Sequence, residues 1–273
     1  MRPPELAVDT PAPRVRRTSF ARRHESTLLA LAGVVGVLLL WQLAWSMGWI
    51  SPMFFSGPSA IVAKFLELLA NGELLSNASY SGGNFLAGFF LAVVVAVPLG
   101  IVIGWYRRLN LFLNPLINAF YATPRIALFP MIIIWFGIGR GSAIFLVFLA
   151  ATLPIMLNTI AGVRSIDADL LRAARAFCAT DRQIFQTVAL PYSVPFILTG
   201  VRQAVAHGLI AVIIAELSAG NHGIGFMIAY AGQTFATDTL LVGVLLTSFA
   251  GMFLAWVTEK LQNHFERWRT ARV

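Results

Sequence analysis

The chain has 273 residues, of which 58% are hydrophobic and 12% charged, and its mean hydropathy is +0.76. Soluble domains carry roughly 25% charged residues, so this composition excludes an ordinary soluble globular protein and indicates a membrane protein. The net charge is +8, which would also suit a nucleic-acid-binding protein. The single cysteine, Cys178, excludes an internal disulfide bond and a cysteine metal cluster.

Taken in chain order, the sequence divides into a long apolar region between two short tails. Residues 1–25 mix prolines with scattered arginines and predict a disordered cytoplasmic tail. A transmembrane domain is predicted over residues 26–260, and a cytoplasmic C-terminal tail over residues 261–273. Because a membrane span needs about 20 apolar residues, we predict an all-α protein with six transmembrane helices. They lie near Leu28–Ile50, Leu86–Trp105, Leu111–Phe136, Ala143–Val163, Val194–Leu217 and Leu240–Val257. The third, which is rich in proline, can also be interpreted as broken.

The positions of the basic residues predict the orientation of these helices. With the N-terminus in the cytoplasm, every Lys and Arg falls in a cytoplasmic segment except four. Lys64 and Arg140 lie outside, and Arg125 and Arg202 lie within spans. This asymmetry follows the positive-inside rule. We therefore predict a multi-pass protein of the inner membrane with both termini cytoplasmic, and the basic excess reports orientation rather than nucleic-acid binding.

The longest outer connection, Ser51–Tyr80, contains the amphipathic stretch GPSAIVAKFLELLANG. Pro58 suits the first position of a helix, and Asn71 suits its end. The apolar residues of this helix share one stripe. A helix lying at the outer membrane interface and a helix packed on the transmembrane bundle both fit the pattern.

A polar insert of residues 165–191 separates the fourth and fifth spans. Its first half predicts a short helix that Asp167 or Asp169 can cap. The helix has an apolar side formed by Leu170, Leu171, Ala174 and Phe177.

The second half of the insert predicts another short helix, capped by Thr180 or Asp181 and ended by the Leu190-Pro191 pair. Isolated helices of this length are marginal in water, so both need a surface to pack on. The inner face of the bundle can supply one surface, which leaves the other helix for a partner protein.

No catalytic or metal-binding motif accompanies the insert. A P-loop needs Gly-Lys-Ser/Thr after a glycine-rich turn, and neither lysine, Lys64 in AIVAKFL or Lys260 in VTEKLQ, has that context. The sequence has neither a His-Glu-x-x-His run nor a Gly-x-Ser-x-Gly elbow, and its histidines are scattered. We therefore predict that the chain is not an enzyme and holds no cofactor or metal ion of its own. The histidines are His24, His207, His222 and His264.

The insert, LRAARAFCATDRQIFQTVALP, resembles the EAA loop of ATP-binding-cassette (ABC) importer permeases. That loop usually reads Glu-Ala-Ala, three residues, Gly, nine residues, Ile, one residue and Leu-Pro. Here Ala173, Ala174, Leu190 and Pro191 match in type and spacing. The stretches YATPRIALFPMIIIWFGIG, FLAATLPIMLNTIAGVRSID and AELSAGNHGIGFMIAYA are similar to the nitrate, taurine, aliphatic-sulfonate and vitamin-precursor branch of these permeases.

The resemblance implies a six-span permease with the type I ABC importer fold, in the lipid bilayer and usually a homodimer. Two cytoplasmic ATPase subunits, which bind ATP and Mg²⁺, would drive it, and an extracytoplasmic substrate-binding protein would deliver a small anionic or organic solute. The insert would be the coupling helix seated in a groove of the ATPase. The coupling residues would be Leu171, Arg172, Ala173, Ala174, Arg175, Phe177, Cys178, Leu190 and Pro191.

Two residues of the insert depart from the family pattern. Arg172 stands at the usual Glu position, and Cys178 stands at the usual Gly position. A left-handed backbone costs a non-glycine residue about 1–2 kcal/mol, so we expect a different turn at Cys178. An unpaired charge pressed into an interface costs several kcal/mol, so we expect the ATPase to present a carboxylate or a water-filled rim to Arg172.

Four ionisable residues fall within predicted spans: Arg125, Arg202, His207 and Glu216. A charge at the bilayer centre costs at least about 2.5–3.5 kcal/mol, so each should face protein or water. Arg125 can attract an anion on the substrate path, or it can form an internal ion pair or reach the interface. Arg202 can also line the path or extend to the inner interface, and His207 can line the path or hydrogen-bond between helices.

Glu216 precedes the glycine-rich stretch LSAGNHGIG at the outer end of the fifth span. Gly220, Gly223 and Gly225 allow a tight re-entrant turn there, and the resembled family carries an acidic residue at this point. We predict that these four residues form an outer gate, in which Glu216 holds the loop in place.

Two other classes of protein share some of these features. An ion-gradient-driven secondary transporter would use Glu216 and His207 as proton or sodium relays, but such proteins usually show inverted repeats and no clear repeat is found. A membrane anchor or sensor would need neither charges inside the membrane nor a coupling insert. Both alternatives fit the sequence less well than the permease.

Overall fold

The computed structural model describes residues 25–49, 51 and 53–266. Every regular element in these ranges is a helix. The predicted N-terminal tail lies outside the described residues except for its last residue, and so do residues 267–273 of the predicted C-terminal tail. The chain divides into two units, Met1–Ile50 and Ser51–Val273.

The first unit contains one described helix, α1 (Glu25–Ser46). Its 22 residues span about 33 Å at 1.5 Å per residue, which is long enough to cross a bilayer. The helix ends a few residues before the predicted end of the first span, because Gly48 adopts a left-handed φ of 72° and turns the chain. Large apolar side chains such as Leu29 and Leu40 are exposed, as expected of a surface in contact with lipid or protein.

Over its described residues, the second unit is built from ten α-helices. A 3₁₀ turn (Arg125–Leu128) precedes α5, and a π turn (Phe185–Ala189) joins α8 to α9. The helices are α2 (Pro58–Ala70), α3 (Glu73–Trp105), α4 (Arg107–Ala122), α5 (Phe129–Phe136), α6 (Arg140–Arg164), α7 (Ala168–Ala176), α8 (Asp181–Ile184), α9 (Leu190–Ala219), α10 (Ile224–Gln233) and α11 (Thr237–Glu266).

Helix α2 confirms that the amphipathic stretch after Pro58 is helical and decides between its two interpretations. It begins at Pro58, and Asn71 caps its end by donating its amide to the carbonyls of the last turn. The helix packs against α3 and α11, where Ile61 and Leu68 are buried, while Val62 on another side is exposed. The helix therefore packs on the bundle.

Helix α3 begins at Glu73, well before the predicted start of the second span near Leu86. The predicted outer connection is correspondingly too long. Hydropathy missed the first turns because they are rich in Ser, Asn and Gly. Some of these polar residues pair with other parts of the protein, as Ser81 and Asn84 do with Glu216.

The predicted third span is broken. Helix α4 and the segment Arg125–Phe136 meet at an angle of 84°, with Thr123 and Pro124 in extended conformation between them. Among the described residues, five helices are long and apolar enough to cross a membrane, and the bent pair makes six if it counts as one span.

The centre of the second unit is a close contact of α6 with α3 on one side and α9 on the other. Gly100 and Gly104 of α3 face Thr159 and Val163 of α6 so closely that an added Cβ atom would overlap them. Small residues at such spacing let helix backbones approach each other in membranes. The buried core around this contact includes Phe85, Ile132, Leu146, Val147 and Val212.

The polar insert forms the two predicted helices, α7 and α8. Asp167 caps α7 by accepting from the Asp169 amide at 2.8 Å. Thr180 caps α8 in a capping box with Gln183. Both positions were among the predicted caps, so the local start signals are confirmed.

The expectation of a different turn at Cys178 is wrong. Cys178 has a left-handed φ of 57°, the conformation that favours glycine. Its amide donates to the Arg175 carbonyl at 2.9 Å, and the Ala179 amide donates to the Ala174 carbonyl at 3.1 Å. This is the Schellman pattern of helix ends, which keeps its backbone geometry despite the cysteine.

The prediction that the second helix of the insert ends at Leu190-Pro191 is also wrong. The helical chain continues through these two residues into α9. A proline ring clashes with the carbonyl four residues earlier in a regular helix. Here that carbonyl belongs to Thr187, which lies in the π turn, and the Leu190 amide donates to Phe185, five residues back. The wider turn opens the hydrogen-bond ladder and lets the chain pass from the insert into the fifth span without a break.

Candidate functional site

Arg125 and His207, two of the three predicted substrate-path residues, line the same cavity. The cavity has a volume of about 190 Å³ and lies between the 3₁₀ turn, α6 and α9. Arg125 is half-buried and is brought there by the break in the third span, because the chain turns away from α4 at Thr123 and Pro124. Leu146, Ala150, Ile210 and Ala211 supply much of the remaining wall.

The Arg125 guanidinium is held by two contacts. Its Nη1 atom donates to the Ala150 carbonyl at 3.0 Å, and its Cζ atom lies 5.6 Å from the centre of the Tyr121 ring. A guanidinium has five N–H donors, so the Ala150 bond leaves donor capacity for an anion. One predicted alternative for Arg125 was an internal ion pair. Among the described residues its hydrogen-bond partner is instead the Ala150 backbone carbonyl.

A row of polar side chains continues along α6 and α9 beside the cavity. Asn158 donates to Gln203 at 3.0 Å and to the Pro154 carbonyl at 2.8 Å. His207, one turn after Gln203, makes a 2.9 Å contact between its Nδ1 atom and the Gln203 carbonyl. In this chain Gln203 and His207 are exposed, which gives the middle of two spans a polar face.

Arg202 does not join this group. Its Nη2 atom lies 3.5 Å from Glu259 Oε2 of α11, and both side chains are about half exposed. The guanidinium therefore makes an ion pair with another helix rather than facing the cavity. Glu259 lies after the last predicted span, outside the set of intramembrane charges. The sequence therefore did not predict its ion pair with Arg202.

The four predicted outer-gate residues lie together at the other end of α9. Glu216 is 1% exposed and accepts three hydrogen bonds: from Ser81 at 2.6 Å, Asn84 at 3.1 Å and the Gly225 amide at 3.2 Å. A carboxylate accepts hydrogen bonds only, and all three partners are donors. Glu216 therefore ties α3 to the start of α10.

The glycine-rich loop wraps closely around this carboxylate. Gly223 has a φ of 105°, and a Cβ atom added there would overlap the Glu216 side chain. Its amide donates to Asn77 at 2.8 Å. Gly220 and Gly225 also approach backbone so closely that neither leaves space for a Cβ atom. The loop thus depends on glycine for both conformation and space.

An aromatic contact adds to this outer cluster. The Arg140 guanidinium lies 4.6 Å from the centre of the Tyr80 ring, and the Tyr80 and His222 rings are 5.7 Å apart. The starts of α3 and α6 and the glycine-rich loop therefore meet around one tyrosine.

The predicted coupling residues in and directly after α7 are exposed or half-buried. None of the side chains of α7 is buried, Leu170 is exposed, and Phe177 is 88% exposed. Leu171 and Ala174 are half-buried, whereas Ala173 and Arg175 are exposed. Leu190 and Pro191 lie apart from α7, in the first turn of α9.

Arg172 has a partner within its own helix. Its guanidinium contacts the carboxylate of Asp169, and both side chains are about three-quarters exposed. A carboxylate of the same helix therefore accompanies Arg172, and the carboxylate or water-filled rim expected on the ATPase stays a prediction. An exposed pair of this kind contributes little to stability, typically about 0–1 kcal/mol, so it does not prevent Arg172 from contacting a partner protein.

Sequence reasoning missed several residues of both clusters. Asn77, Ser81 and Asn84 recur at helical spacing and could have been recognised as a polar stripe, had the second span been started earlier. Gln203 carried no signal that distinguishes it from an ordinary polar residue. Ala150 binds Arg125 through its backbone carbonyl, and a pattern of side chains cannot predict such a contact.

Comparison with known proteins agrees with this architecture. The sequence profile of the family described as "Binding-protein-dependent transport system inner membrane component" matches residues 96–270. The chain is 32% identical to the taurine transport system permease protein TauC of Escherichia coli over 86% of its length and 88% of the relative's. It is 34% identical to the putative aliphatic sulfonates transport permease protein SsuC of the same organism, over 87% and 90%.

A solved structure of the MetNI methionine ABC transporter has the same fold. Its matching chain aligns with a TM-score of 0.63 and 18% identity, over 71% of this chain and 96% of that one. At this identity the likeness concerns the fold alone. The family profile and the two relatives nevertheless cover most of the sequence, so this chain belongs to the binding-protein-dependent transport system inner membrane components and is an ABC importer permease of the nitrate, sulfonate and taurine branch.

Proposed function

We propose that this chain is the transmembrane subunit of an ATP-driven importer that carries a small anionic or organic solute, such as an alkyl sulfonate or taurine, across the inner membrane. The observation that carries the proposal is the Arg125 guanidinium on a cavity between three membrane-embedded segments. An arginine at this depth is costly unless it is used or paired. One of its five donors is occupied by a backbone carbonyl, and a planar guanidinium suits an oxyanion group.

The size and lining of the cavity support a small solute. Pockets for drug-sized ligands measure about 300–1,000 Å³, and this one is smaller, at about 190 Å³. The polar face formed by Asn158, Gln203 and His207 adjoins it. TauC and SsuC, which are relatives of the chain, are named for taurine and aliphatic sulfonates, and both kinds of molecule carry a sulfonate group.

ATP hydrolysis would be coupled to transport through α7. Leu170 in α7 and Phe177 directly after it are exposed. Their apolar side chains suit a groove on an ATPase subunit, which would bind ATP and Mg²⁺. Members of the family work with such subunits. A homodimer of this chain, two ATPase subunits and an extracytoplasmic substrate-binding protein would complete the importer, with both termini of the chain in the cytoplasm.

The test is purification of the assembled transporter. We expect an ATPase subunit to copurify with this chain, and its ATP hydrolysis in lipid vesicles to rise when taurine or an alkyl sulfonate is added with the binding protein. Uptake into the vesicles should require ATP. Uptake driven by a proton or sodium gradient in the absence of ATP would instead identify a secondary transporter, and a chain without any uptake would be an anchor or sensor.

A further inference from the structure

Pro154 lies inside α6, four residues after Ala150. In a regular helix the amide of residue 154 would donate to the Ala150 carbonyl, but proline has no N–H. The Ala150 carbonyl therefore loses its helical donor. It is also buried, at 7% exposure for the residue, and a buried carbonyl in a membrane needs a partner.

Arg125 supplies that partner. Its Nη1 atom donates to the Ala150 carbonyl at 3.0 Å, from a separate segment of the chain. The residue lies on the same cavity as Ala150 and His207. The missing amide of Pro154 and the position of the Arg125 guanidinium are thus linked through a single oxygen atom.

We propose that Pro154 is a positioning residue for Arg125: by freeing the Ala150 carbonyl, it creates the acceptor that holds the guanidinium on the cavity. The proposal builds on the proposed function, in which Arg125 attracts the transported anion. The bond to Ala150 fixes one edge of the guanidinium, and the other donors stay available. A carbonyl that already accepts a helical N–H would bind the Arg125 guanidinium more weakly, because the two donors would share one oxygen atom.

Asn158 connects the Pro154 segment of α6 to α9. It donates to the Pro154 carbonyl at 2.8 Å and to Gln203 of α9 at 3.0 Å. Ala150, Pro154 and Asn158 follow one another at intervals of four residues along α6, so they lie on one helix face. The carbonyls of Ala150 and Pro154 therefore both receive side-chain donors on the side of α6 that faces the cavity and α9.

A thermal double-mutant cycle tests the link without any substrate. The four proteins are the wild type, Arg125→Ala, Pro154→Ala and the double variant, each purified in detergent as the complete transporter. In the wild-type background, Arg125→Ala leaves the Ala150 carbonyl unpaired. In the Pro154→Ala background, the restored amide of residue 154 donates to that carbonyl, so Arg125→Ala does not leave it unpaired. We expect Arg125→Ala to lower the unfolding midpoint markedly in the first background and much less in the second. Equal shifts in the two backgrounds would overturn the proposal.

Uptake of radiolabelled taurine by the reconstituted transporter separates positioning from a general effect on folding. Pro154→Ala should raise the half-saturating taurine concentration several-fold while keeping most of the maximal rate per folded transporter, since it frees the guanidinium to move. Arg125→Lys, which keeps a donor and the charge, should restore part of the uptake lost in Arg125→Ala. A fall in maximal rate alone would reduce Pro154 to a structural proline and overturn the positioning role.

Pro98→Ala is the matched control, because Pro98 also lies within a long apolar helix, α3, but does not line the cavity. It should leave the effect of Arg125→Ala on the midpoint unchanged. The two proposals can fail separately. If the midpoints show the link while Arg125→Ala leaves the uptake curve unchanged, the Pro154–Arg125 contact holds and the anion-attracting role of Arg125 fails.

Discussion

Ser81 and Glu216, which lie 135 residues apart in the sequence, are joined by a hydrogen bond of 2.6 Å in which Ser81 donates. The same hydroxyl accepts from the Ile224 amide at 2.8 Å. Ser81 therefore connects α3, α9 and the start of α10 through one oxygen atom. Because the contact is buried, water cannot replace either partner when one is removed.

Removal of Glu216 should destabilise the protein strongly. Glu216→Ala leaves Ser81, Asn84 and the Gly225 amide without their acceptor, and each unpaired buried group costs about 1–3 kcal/mol. We expect a loss of at least about 3 kcal/mol in the free energy of unfolding, measured by denaturation in detergent. Glu67→Ala is the control, since Glu67 pairs with Lys64 at 2.9 Å on the surface and such pairs contribute about 0–1 kcal/mol. Equal losses for the two variants would contradict the role of Glu216.

The parts of this structure that were predictable are those with local causes. Pro58, Asp167 and Thr180 act on their own helix ends, so their roles could be inferred from neighbouring residues. The pairing of Ser81 with Glu216 and of Arg125 with Ala150 depends on how distant helices meet, which no local pattern records. The continuation past Pro191 was missed for a related reason: a proline ends a regular helix, but a π turn changes the hydrogen bonding before it.

Cys178 provides a test of orientation and of the coupling contact. It is the single cysteine of the chain and is exposed, so a membrane-impermeant maleimide will report on this position alone. We expect labelling in inside-out membrane vesicles but not in right-side-out vesicles. With the ATPase bound, labelling should slow, because Cys178 follows the helix that is proposed to contact the groove. Labelling from the outside would reverse the predicted topology, and an unchanged rate would remove Cys178 from the interface.

Phe177 tests the coupling contact without disturbing the fold. At 88% exposure its ring buries little surface in this chain, so Phe177→Ala should leave the thermal midpoint of the isolated permease nearly unchanged. A ring buried on assembly contributes about 1.5–3 kcal/mol, so we expect copurification of the ATPase to fall by about ten-fold or more. Ala174→Asp, on the same helix, should go further and uncouple ATP hydrolysis from uptake. Phe54→Ala, another exposed phenylalanine on the predicted outer side, should leave ATPase binding intact.

Arg125 and Arg202 are both arginines within predicted spans, and the structure gives them different surroundings. Arg125 lines the cavity, whereas Arg202 pairs with Glu259 at 3.5 Å. We expect Arg125→Ala to raise the half-saturating taurine concentration for uptake by about ten-fold, since a charge-assisted hydrogen bond contributes about 1.5–3 kcal/mol. Arg202→Ala should change it less than two-fold, as expected for the loss of an exposed ion pair. The reverse order of effects would place the anion path along Arg202.

Arg172 tests whether the charge at this position selects the partner ATPase. Its exposed pair with Asp169 keeps the guanidinium beside a carboxylate, so the position presents a paired charge rather than an isolated cation. Arg172→Glu would put two carboxylates three residues apart on α7, where like charges repel each other. We expect this variant to bind its own ATPase more weakly and to bind the ATPase of a relative with Glu at this position more tightly.

The measurement is a four-corner titration of both ATPases against both permeases in nanodiscs. A coupling energy of about 1 kcal/mol or more is expected if Arg172 lies in the groove, because the two charges then meet different partner residues. Asp169→Asn in the wild-type background distinguishes an internal role: if the pair with Asp169 orients Arg172, this substitution should weaken binding to the cognate ATPase as well. A coupling energy near zero would show that Arg172 points to solvent in the complex, and the apolar side of α7 would then carry the contact without help from this charge.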